Sequence, residues 1–135
     1  MFSRYRNLIL VGFAGSILLA FPFPTAAQSK VERIKFQRGH SSTVVKGTIL
    51  GFDTRDYLIG AKAGQVMTLR LSSTNPYANF VIYSINERPT DMNETTEWSE
   101  KLTESGDYLI RVLMMQAGAR RKGATANYSL NVSIR

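Results

Sequence analysis

The chain has 135 residues, 44% of them hydrophobic, with 17 Lys and Arg against 10 Asp and Glu, a formal charge of +7. That supports one small domain, and the absence of Cys excludes a disulfide framework, a thiolate metal site, a Cys nucleophile and a lipid-bearing Cys. A single His, His40, among scattered carboxylates offers neither a base beside a nucleophile nor a zinc ligand set, so the chain reads as a binding protein, not an enzyme, with no metal and no cofactor.

The first segment in chain order is an address. Arg4 and Arg6 precede an apolar run from Leu8 to Phe23, and Pro22, Pro24 and the small residues Thr25-Ala26-Ala27 close it, the three-part pattern of an export signal over residues 1–27. A retained anchor is the rival reading, but the run is short of the roughly 20 residues a span needs and the prolines would break its last turn. Cleavage after Ala27 leaves residues 28–135, 108 residues with a net charge of +5 and no stable membrane insertion. An exported domain without Cys suits a bacterial periplasm, and this length can supply a core.

Beyond Gln28 the apolar spacing changes to period two, which predicts strands. The expected strands are Ile34 with Phe36, Val44 to Leu50, Tyr57 to Ala61, Val66 to Leu71, Phe80 to Ile85, a short one around Trp98 ending at Leu102, Tyr108 to Met114, and Tyr128 to Ile134. No stretch keeps a helical apolar pattern over three turns. About eight strands with no helix to cover them predict an all-β fold, a single antiparallel β-sandwich first and a closed barrel second. Ala63-Gly64-Gln65 and Ser105-Gly106-Asp107 read as hairpin turns, and Asn86 to Thr96 as a surface crossover between sheets.

Several groups invite a functional reading beside a plainer one. Ser105-Gly106-Asp107-Tyr108 is either a turn entering a strong strand, with Tyr108 starting the buried face, or a rigid plug able to enter a cleft at little ordering cost. Arg120-Arg121-Lys122 is a solvated loop tip or a recognition site for a carboxylate. Three adjacent cations without interleaved aromatics fall short of a nucleic-acid stripe. His40 with Ser41, Ser42 and Asp53 lacks the Gly-x-Ser-x-Gly elbow of a hydrolase. The sequons at Asn93 and Asn127 read as chance. Trp98 suits a core or edge position, with a saccharide or protein contact as the alternative.

Arg38-Gly39-His40-Ser41-Ser42, Lys46 to Asp53, Asp56-Tyr57, Ala61 to Gln65 and Ser105 to Leu113, taken in order, resemble the periplasmic inhibitors of g-type lysozyme, with the i-type lysozyme inhibitors as relatives. The resemblance implies a periplasmic β-sandwich that blocks a lysozyme, g-type favoured and i-type possible, by pushing loops into its cleft. It assigns the inserted loop to Ser105, Gly106, Asp107 and Tyr108, and a second contact to Arg120 with Arg121 beside it. Phe52 then stands where a Tyr is expected, and Gln116 where a cation is expected. A non-inhibitory carbohydrate- or envelope-binding module, using Trp98 and Tyr77, is the alternative, and a domain binding an acidic partner through Arg120, Arg121 and Lys122 is the third. Monomer and homodimer are equally compatible with the sequence.

Overall fold

The structure, a computed structural model, describes residues 30–87 and 93–135. The expected export segment and part of the Asn86 to Thr96 crossover lie outside these residues. The elements are β1 (Lys30–Arg33), β2 (Ser42–Leu50), β3 (Arg55–Ala61), β4 (Val66–Ser73), β5 (Ala78–Ser84), β6 (Glu97–Lys101), β7 (Gly106–Met114), α1 (Gln116–Ala119) and β8 (Thr125–Ile134). They form two four-stranded sheets, ordered β1-β3-β7-β5 and β2-β8-β4-β6. The result is the expected sandwich.

Its topology follows one rule: odd strands belong to the first sheet and even strands to the second, so every described connection changes sheets. The two expected hairpins are therefore corrected. Gly64 (φ +90°) and Gly106 (φ +141°) do supply the backbone freedom a tight reversal needs. Gly64 carries the chain from β3 across to β4, and Gly106 from β6 across to β7, so neither turn joins hydrogen-bonded neighbours. Turn chemistry specifies a change of direction, and the sheet that receives the next strand is decided by which apolar face must be covered.

A second correction concerns the first strand. The alternation at Ile34 and Phe36 lies just past β1, which is exposed at all four positions and pairs parallel to β3 while the other named pairs are antiparallel. Ile34 extends that pairing by one bond, from its N–H to the Leu58 carbonyl at 2.8 Å, and its side chain closes the core.

Inward residues of both sheets alternate with outward ones, as in β7 where Tyr108, Ile110, Val112 and Met114 are buried. Tyr57, Phe80, Ile49, Met67, Leu69, Ile110, Leu130, Val112 and Val132 are the largest fully enclosed side chains, each contributing about 1.5–3 kcal/mol by leaving water. Two phenols meet inside this core: the Tyr57 and Tyr128 hydroxyls hydrogen-bond at 2.5 Å, and burial pushes both pKa values up, so the pair stays neutral. Gly47 lies opposite Tyr128 because a Cβ there would collide with the phenol. On the outside of the first sheet Asp56, only 3% exposed, takes a two-pronged bond from Arg111 with both contacts at 2.7 Å.

Candidate functional site

The loops gather at two ends. One end carries the β1–β2, β3–β4 and β6–β7 connections, and the other the β2–β3, β4–β5 and β7–β8 connections. β7 runs from the first to the second, roughly 26 Å at the usual strand rise. The residues singled out from the sequence divide between them: Ser105, Gly106, Asp107 and Tyr108 lie at the first end, Phe52, Arg120, Arg121 and Lys122 at the second.

At the first end the side chains are tied to neighbours, with Tyr108 buried, Asp107 half-buried and Ser105 and Gly106 exposed. Tyr108 is 7% exposed, belongs to the core, and donates its hydroxyl to the Glu104 carbonyl at 2.8 Å. Its phenol is a post under the turn. Ser105 accepts the Ala63 N–H at 2.8 Å, which ties the β6–β7 turn to the β3–β4 turn. Asp107 is held by both arms of Arg33, at 2.9 and 2.7 Å, and hydrogen bonding to that guanidinium keeps its carboxyl below the usual carboxylate range. Close by, Ser84 donates to Glu104 at 3.1 Å, and a hydrogen bond with Glu104 raises the Glu87 carboxyl above its ordinary value.

The second end presents its groups. Phe52, 60% exposed, sits in the turn after Gly51 (φ +52°), whose N–H bonds to the Ala124 carbonyl at 2.9 Å and so joins the β2–β3 turn to the β7–β8 loop. Leu50 and Met115 are exposed beside these loops. The short helix α1, which the apolar pattern did not predict, is built on Tyr77. The Met115 N–H bonds to the Tyr77 carbonyl at 2.8 Å, the Gly118 and Ala119 N–H groups bond back to the Met115 carbonyl, and the Tyr77 ring fills the space a Gly118 side chain would need. The Arg121 guanidinium lies 4.9 Å from the centre of that ring and donates to its hydroxyl at 2.8 Å. Arg120 donates to the Gln116 side chain at 3.0 Å, one helical turn back. Among the described residues Arg120, Arg121 and Lys122 make no ion pair. An aromatic, a fixed cation and a steadied but uncompensated cation thus share one rigid end.

Tyr77, named from the sequence only as a possible saccharide contact, is the residue whose structural role the sequence concealed. A Gly-containing helix of one turn placed against an aromatic is a tertiary feature without a sequence period. The two contacts imagined for a saccharide module are apart: Tyr77 is engaged by Gly118 and Arg121, while Trp98 is half-buried against the core from β6. His40 is exposed in the β1–β2 loop, its Nδ1 3.2 Å from the Arg38 carbonyl oxygen. No group of three or more metal-ligating side chains occurs among the described residues.

The comparisons with known proteins agree with this architecture. A crystal structure of the periplasmic inhibitor of g-type lysozyme from Aeromonas hydrophila superposes with a TM-score of 0.73 at 34% identity, covering 82% of this chain and all of that one. The chain belongs to the family of periplasmic inhibitors of g-type lysozyme. The Salmonella Typhimurium inhibitor superposes with a TM-score of 0.64 at 26% identity over 78% of this chain and 98% of its own. The Escherichia coli (strain K12) inhibitor of g-type lysozyme is 29% identical over 88% of this chain and 92% of its own length. No protein-family model matches the chain.

Proposed function

We propose that this protein inhibits a g-type lysozyme by docking the α1 end of its sandwich in the enzyme's cleft. Family membership over nearly the whole domain supports the inhibitory role. The observation that supports the docking end is that Phe52, Arg120 and Arg121 lie at the same end of the sandwich, on loops tied to each other by the Gly51–Ala124 bond. A glycosidase of this kind depends on an acidic group in a groove shaped for sugars. Arg120 supplies a guanidinium for that carboxylate, Phe52 packs against the groove wall, and Arg121, fixed on Tyr77, sets the rim. Because the loops are tied before contact, little ordering cost opposes binding.

In this reading Ser105, Gly106, Asp107 and Tyr108 keep the far end rigid. Residues 1–27 direct the chain to the periplasm and are removed there.

The test is lysis of peptidoglycan by purified g-type, i-type and c-type lysozymes with and without one equivalent of the mature protein. Suppression of the g-type enzyme is the expected result. Full activity of all three would reject the inhibitory reading, and suppression of the i-type enzyme alone would replace the target class.

A further inference from the structure

The far end of the sandwich carries a groove that the docking reading does not use. It is lined by Phe36, His40, Ser41, Gly60, Ala61, Lys62, Gln65 and Ile134. Its floor is where the core runs out: Ala61 and Ile134 are buried and Phe36 packs partly against them. Two sheet-changing connections form its rim. The β1–β2 loop turns through a bond from the His40 N–H to the Gln37 carbonyl at 2.9 Å, aided by Gly39 (φ +81°), and so brings His40 and Ser41 to one side. The β3–β4 loop brings Lys62 and Gln65 to the other, fixed by the Lys62 N–H donating to Gln65 Oε1 at 2.7 Å.

The chemistry of that rim is one-sided. Gln65 uses its oxygen internally, which leaves its amide NH2 to donate. His40 has Nδ1 3.2 Å from the Arg38 carbonyl oxygen, so Nδ1–H donates there and Nε2 of the neutral ring is left as an acceptor, while the Ser41 hydroxyl and the Lys62 ammonium make no side-chain bond or ion pair among the described residues. No carboxylate lines the groove. Three potential donors, Gln65, Ser41 and Lys62, the last a full positive charge, thus stand around a small apolar floor.

We propose that this groove binds a carboxylate carrying a small apolar group beside it, the chemistry of a peptide C-terminus. Lys62 and Gln65 hold the carboxylate from one side and the Ser41 hydroxyl from the other, while the neighbouring apolar group covers Phe36, Ala61 and Ile134. Charge-assisted bonds supply the attraction, and the apolar floor discriminates against a bare anion.

The experiment is an amide NMR titration of the secreted protein with N-acetyl-alanyl-alanine, its C-terminal amide and inorganic phosphate. Saturable shifts centred on His40, Ser41, Lys62 and Gln65 are expected with the free acid, about tenfold weaker binding of the amide, and a similar loss in Lys62→Gln, as fits removal of one charge-assisted contact. Equal binding of acid and amide, unchanged binding in Lys62→Gln, or phosphate binding as tightly as the dipeptide would overturn the proposal.

Discussion

At one end of the sandwich Ser105, Asp107 and Tyr108 each bond back into the molecule, to Ala63, Arg33 and Glu104. At the other, Tyr77, Gly51 and Gly118 make the inward contacts and leave Phe52 and Arg120 available. The same kind of sheet-changing loop therefore serves two purposes. The difference teaches that a distinctive sequence element can owe its pattern to building a turn, as Ser-Gly-Asp-Tyr does, while the groups proposed for docking stand on a frame that the sequence hardly advertises.

The sharpest way to break this comparison is Tyr108→Ala. Losing a buried aromatic costs about 3–5 kcal/mol, so the melting temperature should fall by more than roughly 10 °C while the protein that remains folded still inhibits. Normal melting with lost inhibition would return Tyr108 to the contact surface. Arg120→Ala should do the reverse: inhibition about tenfold weaker or worse in a rate titration, with unfolding free energy changed by less than about 0.5 kcal/mol.

Gly118→Ala sharpens the role of the frame. Its methyl would collide with the Tyr77 ring, displacing α1 and with it Arg121, at a stability cost of about 1–3 kcal/mol. Inhibition should fall with Arg120 and Phe52 both intact, and an unchanged inhibition constant would show that the frame does not position them.

The smallest effect is expected at Arg33→Ala. Without the guanidinium the Asp107 carboxyl should rise toward the ordinary carboxylate range, which a carboxyl NMR titration would read. Because the folded value is depressed, the pair's stabilisation is present above the unfolded value and disappears as pH falls through the folded one. The stability that the variant loses is therefore a neutral-pH loss that vanishes in acid, while inhibition at neutral pH should be unchanged. A stable Asp107 titration would mean that another group holds it.

Most strands were legible because one face of each is buried: Tyr108, Ile110, Val112 and Met114 announce β7 by alternation alone. β1 was displaced because all four of its residues are exposed and its pairing is carried by the backbone. The hairpins misled because Gly64 and Gly106 reveal a reversal of the chain and not the sheet that receives it. Phe52, Arg120 and Arg121 were nameable from the resemblance, yet their separation from Ser105 to Tyr108 by the length of β7 exists only in three dimensions. Tyr77 was named only as a possible saccharide contact, and its role under α1 was hidden because its partners are a glycine and an arginine far along the chain.

The most direct test of the account is a hydrogen-exchange footprint of the mature protein bound to a g-type lysozyme. Protection on binding should concentrate in residues 50–54 and 115–124, with 62–65 and 102–107 exchanging as in the free protein. Protection centred on 102–107, with the α1 end unaffected, would contradict it.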